Sequence, residues 1–344
     1  MDRTELSADP LVNRWLNQLL HNRGLAMATV NKYGRFVDRL SLWLATNNPP
    51  CKLLNASIEQ LELWTGFELH REKLRPQTRK IAVAGVKSFY KYMESVKVLK
   101  DNPAESLPSP KIGYSLPRPA QLQHAQALLM APGIESFKGL RDTAMLSVLI
   151  GCGCRISGLV ALNESDLIWG KNSKGVERLK IRFTEKGKKE RIVPAPMEVG
   201  LLIRAYLGHP FWEAIEPTLP NGDRVLFINT INPTIRQPDH YGERRRIRAD
   251  SFGAILKNYA ITAGIPINSR HAHSYRHLYG TELAESDVDL LVRQALLGHA
   301  KPETTAIYSS LAMQKLFEIV DKSNPLGKIK TVVSDLANKI RSGK

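Results

Sequence analysis

His273, Arg276, His299 and Tyr308 fall within one stretch, residues 270–308, which reads RHAHSYRHLYGTELAESDVDLLVRQALLGHAKPETTAIY. Arginine and imidazolium can hold the charge of a phosphoryl transition state. Tyrosine is a possible covalent nucleophile. Upstream, Arg155 is the single charge inside the apolar run AMLSVLIGCGCRISGLVAL. A buried arginine needs an anionic partner, because desolvating it alone is costly. Lys186, Lys188 and Lys189 sit in the turn EKGKKE, where a lysine can reach out and give a proton to a leaving oxygen. Taken singly, each residue has a plainer meaning. A histidine or tyrosine more often packs or hydrogen-bonds, Arg155 would form a structural ion pair, and a charged turn is usually solvated.

The elements that must position these residues are legible in part. A helix starting near Ser274 puts Arg276 three residues from His273, so both can point to one side. Pro302 and Glu303 open a further helix, with Tyr308 about two turns inside it. Leu167-Ile168-Trp169 reads as a short strand. Leu179, Ile181 and Phe183 alternate with Lys180 and Arg182, as in a half-buried strand, and Arg191-Ile192-Val193-Pro194 is its return. The turn between them, residues 185–190, contains Lys186, with Lys188 and Lys189 as neighbours, and Gly187 can take a positive φ. Helices are expected over 119–130, 137–150, 201–207 and 250–264. Residues 208–250 carry no clear pattern, but Arg244, Arg245, Arg246 and Arg248 form a basic knot there that either meets DNA or is solvated. After Tyr308, Leu311–Val320 continues as helix, Asn324–Gly327 breaks it, and Thr331–Ile340 makes a last helix striped by Val332, Val333, Leu336 and Ile340.

The first hundred residues read as a helical bundle. Asp9-Pro10 starts the first helix, whose Leu11, Trp15, Leu16 and Leu19 recur at helical spacing. Thr29 is placed to cap the second, striped by Val30, Tyr33, Val37, Leu40 and Leu44. Ser57 to about Leu74 and Gln77 to about Val96 give two more. Arg71, Lys73, Arg75, Arg79, Lys80, Lys87 and Lys91 bracket the turn at Pro76; they make either a solvated face or a phosphate-contacting one. SLPSPKIGYSLPRP then reads as an extended linker.

The chain has 344 residues, with 49 Lys plus Arg against 33 Asp plus Glu, a formal charge of +16. That length supports two domains with cores. The excess charge runs through the whole chain and calls for a polyanionic partner, nucleic acid first. No apolar run of spanning length and no signal-peptide pattern argues for a membrane. Three cysteines make no disulfide framework; Cys152 and Cys154 read as buried thiols, and the expected setting is the reducing cytosol, at the nucleoid.

The order HxxR, LGH and a downstream tyrosine resembles the C-terminal motifs of the tyrosine recombinases, the phage integrase family. Gly-x-Gly-x-Arg-x-Ser resembles that family's first arginine motif, with Gly158 where the family usually has an acid. Residues 185–191 resemble its GKGxKxR hairpin, and residues 10–107 its SAM-like core-binding domain. The resemblance implies a mainly α fold with a small antiparallel β-sheet. It divides the chain into a helical core-binding domain at 1–107, a linker at 108–118, an α+β catalytic domain at 119–322 and a tail at 323–344 that packs on a neighbouring protomer or on its own domain. A separate arm-binding domain is not expected. Tyr308 would attack a phosphodiester to form a 3′-phosphotyrosine. Arg155, Arg276 and His299 would hold the phosphorane, His273 would take the tyrosine proton, and Lys186 would protonate the leaving 5′ oxygen. No metal, ATP or other cofactor is implied. The implied partners are a double-stranded DNA recombination site, a homo-tetramer on synapsed DNA and an accessory DNA-bending or recombinase protein, with no membrane. Three rivals remain at this point: a type IB topoisomerase, a metal site at His271, His273 and His277, and a non-catalytic DNA-binding accessory protein.

Overall fold

The computed structural model describes residues 6–113, 119–171, 175–185, 189–232, 234–298 and 310–342. The chain divides into two compact units, Met1–Ser115 and Leu116–Lys344. Each has its own apolar core.

The first unit is built from α1 (Pro10–Asn17, extended by a π turn to Asn22), α2 (Met27–Ala45), α3 (Ile58–Glu62, carried on by a π segment at Leu63–Glu68 and by Leu69–Arg71) and α4 (Pro76–Ser95). Asp9 caps α1 as expected, accepting from Leu11 N and Val12 N at 2.8 and 3.1 Å. Ser57 and Gln60 close a reciprocal capping box on α3. Thr29 does not cap α2; the helix starts at Met27 after Ala26, whose side chain makes no cap. Trp15, Leu40, Trp64, Phe89 and Tyr90 bury the apolar stripes against one another. Gly85 lets α2 and α4 cross closely: a Cβ there would sit 3.3 Å from the Tyr33 Cα. Of the seven expected basic positions, Arg71, Lys73, Arg75, Lys80 and Lys91 are exposed, while Arg79 and Lys87 are half-buried. Lys87 Nζ is committed to the Glu105 carbonyl at 3.1 Å.

The second unit starts with α5 (Leu122–Met130), α6 (Phe137–Cys152) and α7 (Ile156–Val160). A three-stranded antiparallel sheet follows, in the order β1 (Leu167–Lys171), β2 (Glu177–Glu185), β3 (Lys189–Pro194). Its register pairs Leu167 with Ile181, Ile181 with Val193 and Phe183 with Arg191. The period of two puts Leu179, Ile181, Phe183 and Val193 on the core side, where all four are buried. Next come α8 (Met197–Leu207), α9 (Ala249–Thr262), α10 (Ala272–Glu285), α11 (Leu290–Leu297), α12 (Ser310–Ser323) and α13 (Ser334–Ser342). Among the described residues, no helix is long and apolar enough to cross a membrane.

The segment 208–250 is more ordered than its sequence announces. Val225, Leu226, Phe227 and Ile228 are fully buried. Leu226 N donates to the Leu162 carbonyl and Ile247 N to that of Phe227, each at 3.1 Å. Arg141, itself buried, pairs with Asp142 at 2.6 Å and reaches the Ile228 carbonyl at 2.7 Å. The basic knot is partly consumed inside the fold. Arg246 donates to the carbonyls of Val160 and Leu162 and to Asn163 Oδ1, at 3.1, 3.0 and 2.6 Å. Arg245 is buried against His240 and the Thr230 carbonyl. Arg244 and Arg248 remain exposed, Arg248 beside Asp250.

In the tail, Ala337 is fully buried, Val332 and Val333 pack on the core of their own unit, and Leu336 is 51% exposed.

Candidate active site

Gly153 ends α6 in the left-handed region, at φ 56° and ψ 30°. A Cβ at this position would lie 2.2 Å from Tyr279 Cδ1, so no other residue fits without moving that ring. The turn returns Cys154 to the core and leaves Arg155 as the N-cap residue of α7, half-buried at the surface of the unit. Sequence had placed Arg155 as a buried charge; the turn at Gly153 is what brings it out. The Gly153 carbonyl, beyond the reach of the helix ladder, accepts from Arg276 Nη1 at 2.6 Å. One glycine turn therefore aims Arg155 and anchors Arg276.

Arg276 comes from α10, three residues after His273. His271 is the N-cap residue of this helix, its Nδ1 accepting from Ser274 N at 3.3 Å. Arg276 is 4% exposed. Its second terminal nitrogen donates to the Leu297 carbonyl, and Arg191 Nη1 donates to the Leu296 carbonyl. Both acceptors lie in the last turn of α11, where helix carbonyls lack partners and the dipole attracts cations. Gly298 then closes the helix at φ 68°. The backbone is thus held from two sides directly before His299.

Arg191 is a site residue that the sequence reading placed at the end of the hairpin motif and the start of the return strand, with no role in the site. It is 7% exposed, on the inward face of β3, with its guanidinium 5.3 Å from the centre of the Phe183 ring. Burial and then the positive charges of Arg191 and Arg155 push the Arg276 guanidinium down to about 10. Burial and the Arg191 charge lower Arg155 as well. His273, exposed on α10 with its ring 4.4 Å from that of His277, is lowered by partial burial and then by His277, Arg276, His271 and Arg155. It stays neutral to lower pH than a free imidazole, as a proton acceptor must. Cations crowded this closely repel one another, and a phosphoryl anion among them relieves the repulsion. Beneath the site, burial pushes the Cys154 thiol up to about 12 and that of Cys152 well above its ordinary value, so both are inert thiols near neutral pH.

The structure brings Arg155, His273 and Arg276 together. Lys186, His299 and Tyr308, with the helix expected from Pro302, lie outside the described residues, as does Lys188. Among the described residues, no three His, Cys, Asp or Glu side chains gather as a metal site would need, His271, His273 and His277 included.

The Gly153 turn yields a stability prediction. Gly153→Ala forces a β-carbon into αL backbone and against Tyr279, at a combined cost of about 2–5 kcal/mol. Thermal unfolding should show a Tm lower by roughly 5–15 °C. An unchanged Tm would contradict the described turn.

The model of the Phage integrase family matches residues 121–315, and that of the Phage integrase N-terminal SAM-like domain matches residues 12–97. Tyrosine recombinase XerD of Vibrio cholerae serotype O1 is 30% identical over 316 residues, covering 92% of this chain and 96% of the relative. Tyrosine recombinase XerC of Chlamydia pneumoniae is 30% identical over 324 residues, covering 93% and 94%. Among solved structures, XerH site-specific recombinase bound to palindromic difH substrate superposes with a TM-score of 0.62 at 17% identity, over 87% of this chain and 81% of that one. A lambda integrase(75–356) dimer bound to a COC′ core site gives 0.60 at 12% identity, over 87% and 97%. These two show the fold. The chain belongs to the phage integrase family and is a site-specific DNA recombinase of the tyrosine type.

Proposed function

We propose that this recombinase cuts and rejoins DNA through a covalent link to Tyr308. The tyrosine oxygen attacks a phosphodiester, its proton passes to His273, and a 3′-phosphotyrosine forms. The leaving 5′ oxygen takes a proton from Lys186. Arg155, Arg276 and His299 hold the charge of the phosphorane. The phosphotyrosine conserves the energy of the broken bond, so a second 5′-hydroxyl can reseal the strand with no ATP and no metal. The observation that carries this reading is the cation cluster of Arg155, Arg276 and Arg191, assembled from three separate elements and calling for one anion. Exchange between two duplexes uses four copies of the chain, and the lambda integrase of like fold is a dimer bound to its core site. Of the tail's apolar stripe, Leu336 is the exposed member that a neighbouring copy would cover. The boundaries 1–107, 108–118, 119–322 and 323–344 stand as the working domain division, and an accessory DNA-bending or recombinase partner is part of the reading. The protein would work in the cytoplasm, on the nucleoid.

The test starts by mapping the sequence that the protein protects from nuclease on its native replicon. A duplex carrying that site, nicked near the cut, should then trap an SDS-resistant protein–DNA adduct in EDTA without ATP. No adduct, or one that appears only with added metal, would overturn the reading.

Binding itself should be strongly salt-dependent. Arg71, Lys73, Arg75, Lys80 and Lys91 expose five charges on the first unit alone. If each neutralises a phosphate, counterion release gives a slope of about −4 or steeper in log K against log salt. A slope near zero in a titration from low to moderate salt would rule out this face as a phosphate-contacting one.

A further inference from the structure

The helix that follows the nucleophile is bolted to the sheet. α12 begins at Ser310, two residues beyond Tyr308, and ends at Ser323. Near its far end, Asp321 receives both terminal nitrogens of Arg178, at 2.7 and 2.9 Å. Arg178, on β2, is 8% exposed and Asp321 19%. The same guanidinium lies 4.3 Å from the centre of the Phe317 ring. Phe317 and Asp321 are four residues apart and so share one face of α12. One planar group therefore grips two successive turns, which fixes the rotation of the helix about its axis as well as its place on the sheet.

A second strut holds the chain just past the helix. Lys328 Nζ meets Glu282 Oε2 at 2.5 Å, and Glu282 is 4% exposed on α10, six residues after Arg276. Asn324, fully buried between the two, accepts from Gly327 N at 3.1 Å and donates to the Val320 carbonyl. The base of α12 is tied to the strand that leads to Lys186 and to the helix that carries His273 and Arg276. An α-helix transmits such a constraint along its length, because every residue of its backbone is hydrogen-bonded to the next turn.

We propose that Arg178 and Asp321 are positioning residues for the nucleophile: their ion pair sets the helix that follows Tyr308, and loosening it slows DNA cleavage without weakening DNA binding. The proposal rests on Tyr308 being the nucleophile. Neither residue touches DNA in this account, so the effect belongs to the cleavage step alone. A displacement of about 1 Å in a reacting group can cost on the order of 10²-fold in rate.

The test uses the full-length protein and a nicked duplex carrying its mapped site. In the wild type, the SDS-resistant adduct must form and must be lost in Tyr308→Phe; if it does not form at all, the nucleophile assignment fails before the clamp is at issue. Arg178→Met combined with Asp321→Leu removes the pair without stranding a buried charge. Asp321→Asn keeps the shape and weakens the pair, and serves if the double variant does not fold. Three quantities are read for each: Tm, the Kd for the duplex, and the single-turnover rate of adduct formation at saturating DNA. The expected result is an unchanged Kd with adduct formation slowed about 10²-fold in the double variant and about tenfold in Asp321→Asn. Wild-type rates in a folded variant would overturn the proposal. So would a loss of rate matched by an equal loss of binding, which would make the pair merely structural.

Discussion

Tyr308→Phe should bind duplex DNA as tightly as the parent protein and form no covalent adduct with it. The substitution removes one oxygen and leaves the ring, so the side chain keeps its size and its charge at neutral pH. The attacking atom is gone, however, and no neighbouring side chain in the proposed site replaces it. The loss is therefore complete rather than graded. Gel electrophoresis in SDS after incubation with a nicked site reads it directly. Adducts that persist in the variant would show that another residue attacks.

Arg276→Ala carries the next largest effect. Two different nitrogens of this guanidinium reach the Gly153 and Leu297 carbonyls, so the side chain joins the turn before Arg155 to the segment before His299. Under the proposed mechanism, removing it takes away a donor to the phosphorane, a loss of about 10²–10³-fold in cleavage by analogy with other preorganised donors. Arg276→Lys should recover little of this. A single ammonium cannot reproduce a planar fork that binds two carbonyls and still faces a phosphate. Cleavage rates at saturating DNA test the claim, and a lysine variant within a few-fold of wild type would sink it. Stability falls too, because each stranded buried carbonyl costs about 1–3 kcal/mol; Tm measured alongside separates the two losses.

How far the molecule could be read in advance depended on whether a residue's neighbours in sequence are also its neighbours in space. The first unit's helices followed from Asp9-Pro10, Ser57 and the apolar stripes, because caps and periodicity are local. Arg155, His273 and Arg276 were legible through their motifs, and the structure brings them together. The exposure of Arg155 was not legible, since an apolar run gives no hint that the chain reverses at Gly153. Arg191 could have been found. The same alternation that turns Phe183 and Val193 inward turns Arg191 inward, and a charge on the buried face of a strand marks a functional site.

The run Val225–Ile228 also carried its own signal. Four consecutive apolar residues are what a doubly buried extended segment looks like, but the prolines around it masked the pattern. Arg245 and Arg246 illustrate the opposite error. A cluster of arginines reads as a surface for polyanions, yet Arg246 is spent on the carbonyls at the end of α7. Arg178 stands just before the half-buried strand read from Leu179 and had no role of its own in that reading. Its pairing with Asp321 spans 143 positions of sequence, and nothing local could announce it.

The central claim is that Tyr308 becomes covalently joined to DNA while Arg155, Arg276 and their neighbours hold the phosphate. Its most direct test is to trap the wild-type protein on a nicked site, digest both partners, and locate the nucleotide-bearing peptide by mass spectrometry. The account predicts one modified peptide, the one containing Tyr308, with the nucleotide attached through its 3′ phosphate. A nucleotide on any other residue, or a 5′ linkage, would contradict it.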